Sequence, residues 1–79
     1  MSAAEAQEVK NLLLKQNEQY RQLAERHHEL DDRLHELTEK HYLTAGEQFE
    51  ETTIKKRKLA LKDQMEQMAR EYAVHSRAS

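Results

Sequence analysis

The sequence predicts an all-α protein: an antiparallel two-helix hairpin, coiled-coil-like in its packing, that assembles further into a helical bundle. Three observations carry this. The 79 residues include no proline and a single glycine, whereas a sheet protein of this size would need turns built on those residues. Glu, Lys, Arg, Gln, Leu and Ala dominate, and all are good helix formers. The apolar residues fall into two runs whose steps alternate four and three, with Gly46 between them; that spacing turns one stripe of each helix toward a partner.

Taken in order, Ser2-Ala3-Ala4-Glu5 reads as a capping box, in which the Ser2 hydroxyl accepts from the Glu5 amide. Helix 1 is expected over about residues 3–41. Its seam runs Val9, Leu13, Gln16, Tyr20, Leu23, His27, Leu30, Leu34 and Leu37, interrupted by the polar Gln16 and His27. The turn is expected over about 42–46. Thr44-Ala45-Gly46-Glu47 is a second capping box with Thr44 as N-cap; the competing reading sets Gly46 just past the end of helix 1. Helix 2 is expected over about 45–74, with Ile54, Lys58, Leu61, Met65, Met68 and Tyr72 on its seam and His75 to Ser79 fraying. A reversal near Thr44 sets Leu34 against Ile54, Leu30 against Lys58, Leu23 against Met65, Tyr20 against Met68 and Gln16 against Tyr72. Helix 2 would be about 45 Å long, and helix 1 would overhang it with roughly its first ten residues.

The same features bound the function. One domain, residues 1–79, is all this length allows, and so short a chain buries little core. With no cysteine there is no disulfide. The N-terminus lacks a basic segment followed by an apolar one, so no signal peptide is expected there. No apolar run approaches about 20 residues, so no membrane span is expected, and the expected location is the cytoplasm. A net charge of -2 argues against a dedicated nucleic-acid binder. There is no Gly-rich phosphate loop and no nucleophile beside a base. The chain is therefore expected not to be an enzyme, and to have no catalytic residue, no cofactor and no metal site.

Two clusters stand out. His27, Asp31 and Lys58 form a polar group on an otherwise apolar seam. Lys58 can lay its stem along Leu30 and Leu61 while its ammonium reaches Asp31, and such a contact fixes register at some cost in stability. His27, one turn before Asp31, is expected to hydrogen-bond Asp31 or a side chain of helix 2. The run Lys55-Lys56-Arg57-Lys58 resembles a nucleic-acid patch, but four consecutive helical residues spread over about 300°. The facing part of helix 1 is acidic, so intramolecular pairing is the simpler use. Leu12, Leu14 and Leu59 lie off the seam and define a second apolar face. They are the residues expected to mediate self-association.

The pattern Tyr20-x-x-Leu23, His27-x-x-Leu30-Asp31-x-x-Leu34-x-x-Leu37, followed by Lys55-Lys56-x-Lys58-Leu59-x-Leu61-Lys62-Asp63-x-Met65, resembles the YdcH family of small bacterial proteins. The resemblance implies a two-helix hairpin in a bacterial cytoplasm, with no assigned activity. The family often carries a proline near the position of Glu18, which would break helix 1; this chain has Asn17-Glu18-Gln19 there, which allows one continuous helix. The expected function is a non-enzymatic helical interaction module that forms homo-oligomers or binds an unidentified protein. The alternative is a weak nucleic-acid-associated protein using the basic segment of helix 2.

Overall fold

A computed structural model describes residues 2–78, with side chains described through His75. Three α-helices follow one another: α1, Ala3–Gln16; α2, Glu18–Thr38; and α3, Ala45–Ala78. The all-α class stands, but the two-helix count is corrected. The expected helix 1 is two helices, broken at Asn17, and its second part ends at Thr38 rather than near residue 41.

The break has a local cause. Asn17 is extended, at φ -115° and ψ 111°, and its side chain accepts a 2.9 Å hydrogen bond from the Tyr20 amide. Asparagine is a preferred N-cap, because its short amide oxygen reaches an amide in the first turn. The Asn17 backbone N–H closes α1 by donating to the Leu13 carbonyl at 2.8 Å. The Arg21 guanidinium then crosses the break, donating from Nε to the Leu14 carbonyl at 3.0 Å and from Nη2 to the Lys15 carbonyl at 3.2 Å. One residue thus ends one helix and starts the next, and an arginine satisfies carbonyls that the break leaves open.

As a result α1 does not overhang; it folds back over the other two helices. Lys10 of α1 lines the same cleft as Leu59, Lys62 and Met65 of α3. Leu13 is only 4% exposed, packed with Tyr20 and Ala69, and Val9, Met65, Met68 and Tyr72 close around them. Gln16 is exposed and does not take the expected place opposite Tyr72. The longest dimension of the molecule, 53 Å, is close to the roughly 51 Å that 34 helical residues span, so α3 alone sets its length.

The α2–α3 hairpin keeps the expected seam. Tyr20, Leu37 and Ile54 are buried, while Leu23, Leu30, Leu34, Leu61, Met65, Met68 and Tyr72 are half-buried. Leu37 and Ile54 make a small core near the turn; the Leu13–Tyr20–Ala69 cluster makes a second near the other end. Residues 39–44 reverse the chain. Thr44 is the N-cap of α3: its hydroxyl accepts from the Glu47 amide at 3.1 Å, and the Glu47 carboxylate accepts from the Thr44 amide at 3.1 Å. The competing role for Gly46 falls away, since no glycine has a positive φ and Gly46 lies in the first turn of α3. The Ser2 cap also forms, with its hydroxyl accepting from the Glu5 amide at 3.2 Å. Past Gly46 no glycine or proline interrupts the chain, and α3 continues to Ala78 rather than ending near Val74. Ser79, at the end of the stretch expected to fray, lies outside the described residues.

Candidate functional site

The polar group on the seam is assembled in part. The Lys58 ammonium crosses from α3 and donates to the Asp31 carboxylate on α2. The lysine side chain is 23% exposed and the aspartate side chain 54%, so the stem is buried and the charged end is wet, as a long cation on an apolar seam requires. The bound ammonium holds the Asp31 carboxyl below the usual range, with His27 and His28 adding smaller contributions of the same sign. His27 is half-buried and lines a cleft with Lys58. No hydrogen bond joins it to Asp31. The His–Asp contact one turn apart is made instead by the neighbouring residues, His28 and Asp32, at 3.4 Å on the exposed face.

Nearer the turn lies a network that the sequence reading did not pick out. Arg33 grips Glu50 of α3 with two hydrogen bonds, 3.0 Å from Nε and 2.7 Å from Nη2, and reaches Glu36 with Nη1 at 3.0 Å. This forked geometry suits a planar guanidinium and a carboxylate. It holds the Glu50 carboxyl low and the arginine firmly protonated. Lys40 reaches across the turn to Glu47, whose carboxyl is pulled down to about 2, first by Lys40 and then by the Thr44 amide. A signal was present: Arg33 and Glu50 each stand one turn before a buried seam residue, Leu37 and Ile54 respectively.

The third feature exists only because α1 folds back. A cleft of about 530 Å³ opens between the three helices. Its apolar part is Tyr20, Leu59 and Met65, and Lys10, Lys55, Lys58 and Lys62 stand around it. Tyr20 is almost fully enclosed, at 1% exposure, and burial pushes its phenol up.

The residues expected to mediate self-association are exposed but not contiguous. Leu59 is 61% exposed on α3. Leu12 and Leu14 are each 39% exposed, and they stand about 100° to either side of the buried Leu13. They therefore occupy opposite flanks of α1 rather than one face. Tyr42 and Phe49, beside the turn, are the most exposed aromatics. Among the described residues, no three His, Cys, Asp or Glu side chains are placed to hold a metal ion. No helix among them is long and apolar enough to cross a membrane.

The fold and its polar contacts define a small, all-helical protein in which cross-helix ion pairs join a long helix to an antiparallel partner. Residues 21–69 match the family described as "Protein of unknown function (DUF465)", and the chain belongs to that family. The match begins at Arg21 and ends at Ala69, so it takes in most of the α2–α3 hairpin and leaves α1 outside. No curated protein and no solved structure matches the chain.

Proposed function

We propose that this YdcH-like protein is a non-enzymatic, cytoplasmic helical interaction module that self-associates, packing as a coiled-coil-like bundle. The observation that carries the reading is the disproportion between core and surface. Among the described residues five hydrophobics are buried, Leu13, Tyr20, Leu37, Ile54 and Ala69, while six large ones are exposed. A core this small stabilises a chain only marginally, and each exposed leucine buried between copies contributes roughly 1.5–3 kcal/mol. Leu59 is the centre of the proposed interface, with one of Leu12 and Leu14 beside it; the opposite flanks of α1 leave the other facing away. Asp31 and Lys58 serve to set the hairpin's register.

Sedimentation across a concentration series tests the proposal. The wild type is expected to form a dimer or a larger symmetric assembly, with a melting temperature that rises with protein concentration. Leu59→Glu is expected to give a monomer that keeps its helices, and only one of Leu12→Glu and Leu14→Glu to do the same. A wild type that stays monomeric at high micromolar concentration would end the proposal. Salt-sensitive retention of that monomer on DNA would then favour a nucleic-acid role for the exposed Lys55, Lys56 and Arg57.

A further inference from the structure

We propose that a second copy of the chain lies antiparallel across the outer face of α3, the two helices crossing beside Leu59 about a two-fold axis. This rests on the self-association proposed above and adds its geometry. The face around Leu59 is open: Lys55, Lys56, Leu59, Lys62 and Asp63 are exposed, and Glu66 is half-buried. Its charges are largely uncommitted. Lys55 touches only Glu51, at 3.4 Å and with 61% of the lysine side chain exposed. Among the described residues, Lys56, Lys62, Asp63 and Glu66 make no ion pair. Successive residues turn by about 100° on a helix. Lys55 and Glu66 therefore stand on one side of Leu59, and Lys56 and Asp63 stand on the other.

A two-fold axis through an antiparallel pair sets each side of one helix against the same side of its copy, with the order reversed. Lys55 then meets Glu66 of the second copy, and Lys56 meets Asp63 of the second copy. Symmetry makes each pair twice. Both pairs are centred within about one residue of Ala60, so a single placement satisfies them together, with Leu59 of each copy beside the axis. Lys62 comes level with Lys58 of the second copy, a like-charged approach, but Lys58 is turned to Asp31 of its own chain. A parallel pair sets Lys62 beside Asp63 but also Lys55 beside Lys56, so attraction and repulsion offset. Exposed ion pairs add little affinity. Burial of Leu59, 61% exposed in the single chain, holds the copies together, and the charges select their direction.

The test combines one spin label with charge reversal. Val74 is exposed and stands 14 positions past Ala60. A nitroxide there is expected to give an interchain distance of about 42 Å in the antiparallel pair, against less than about 20 Å in a parallel one. Lys55→Glu and Glu66→Lys are each expected to weaken association at least fivefold in sedimentation, with helicity retained. The double variant Lys55→Glu, Glu66→Lys re-forms the pair with its charges exchanged, and is expected to return to within twofold of the wild type. The differences are expected to shrink at 0.5 M salt, roughly, where screening is short-ranged. A dimer with the short distance would overturn the inference and leave self-association standing. So would a Lys55→Glu variant that associates more tightly, as relief of Lys55 against Lys56 in a parallel pair would bring, or a double variant no better than the single ones. A wild type without any interchain distance, and monomeric at high micromolar concentration, would end the self-association and this inference with it.

Discussion

Asn17→Ala asks what holds α1 against the hairpin. The substitution removes the side-chain acceptor of the Tyr20 amide, and losing an N-cap costs roughly 1 kcal/mol. Alanine also prefers a helix to asparagine by up to about 0.7 kcal/mol. Together these favour one unbroken helix from Ala3 to Thr38 by roughly 1.5 kcal/mol. Against that stands the burial of Leu13, at 4% exposure, which contributes about 1.5–3 kcal/mol. Val9, packed on the same cluster, adds to it. Packing thus outweighs the lost cap, and α1 is expected to stay folded back in the single variant, at reduced stability. Adding Leu13→Glu removes the packing and is expected to straighten the chain. Spin labels at positions 4 and 25 read the difference, because 21 residues of continuous helix separate them by about 32 Å, whereas a folded-back α1 brings them much closer. Short distances are expected for the wild type and for Asn17→Ala, and a shift toward the long distance in the double variant. A wild type that already shows the long distance would refute the fold-back. Complete straightening by Asn17→Ala alone would show that the cap, and not the packing, holds α1 in place.

Thr44→Ala deletes the acceptor of the Glu47 amide and is expected to cost about 1 kcal/mol, read as a melting temperature lower by roughly 4–8 °C with the hairpin intact. Gly46→Ala is expected to stabilise by roughly 0.5–1 kcal/mol, because the added Cβ meets nothing nearer than the Thr44 hydroxyl at 3.9 Å; a loss in chemical denaturation would show that the first turn of α3 is not helical in solution. Glu47 has its carboxyl pulled from an ordinary 4.5 to about 2, so its contribution is present above pH 4.5 and lost as pH falls toward 2; thermal melts between those values are expected to decline less steeply in Glu47→Gln. Lys58→Met is expected to hold or raise the melting temperature, and Asp31→Ala to lower it, because the first removes a half-buried cation and the second leaves it unpaired.

The hairpin was legible because its seam is a property of spacing. Every apolar seam position from Tyr20 to Tyr72 is at least half-buried, and the Ser2 and Thr44 N-caps could be read from residue type and offset alone. The break at Asn17 was not legible, for a related reason. The apolar steps of four and three pass through Leu13, Gln16 and Tyr20 without a change of phase, so periodicity cannot see one extended residue among them. Asn17 lacks the Glu or Gln three residues on that completes a capping box, since Tyr20 stands there. The Asn17 cap permits the break locally, and packing across the fold selects it, because Leu13 meets Ala69 only if the chain turns back. The cleft shares that fate. Lys10 and Lys62 are 52 positions apart, and nothing local brings them together. Of the two His–Asp pairs at the same spacing, His28–Asp32 is the one in contact, and Asp31 is bonded by Lys58 instead.

The ion pairs that cross from α2 to α3 differ in what they specify. Shifting α3 by one heptad along α2 would carry Glu50 from Arg33 to Arg26 or Lys40, and a carboxylate finds a cation in either place. The same shift would carry Lys58 from Asp31 to Ala24 or Thr38, where no carboxylate waits. Arg33–Glu50 has the better geometry, with two hydrogen bonds, yet it distinguishes the native register poorly. Lys58–Asp31 is a single contact with an exposed acid, and exposed pairs contribute little to stability. Its lysine stem is nevertheless buried on the seam, so a slipped register would leave a cation there with no partner, at a cost the native register avoids. We therefore propose that specificity and stability are carried by different pairs: the forked arginine beside Leu37 and Ile54 fastens the turn end of the hairpin, and the seam lysine decides which of several similar alignments is fastened.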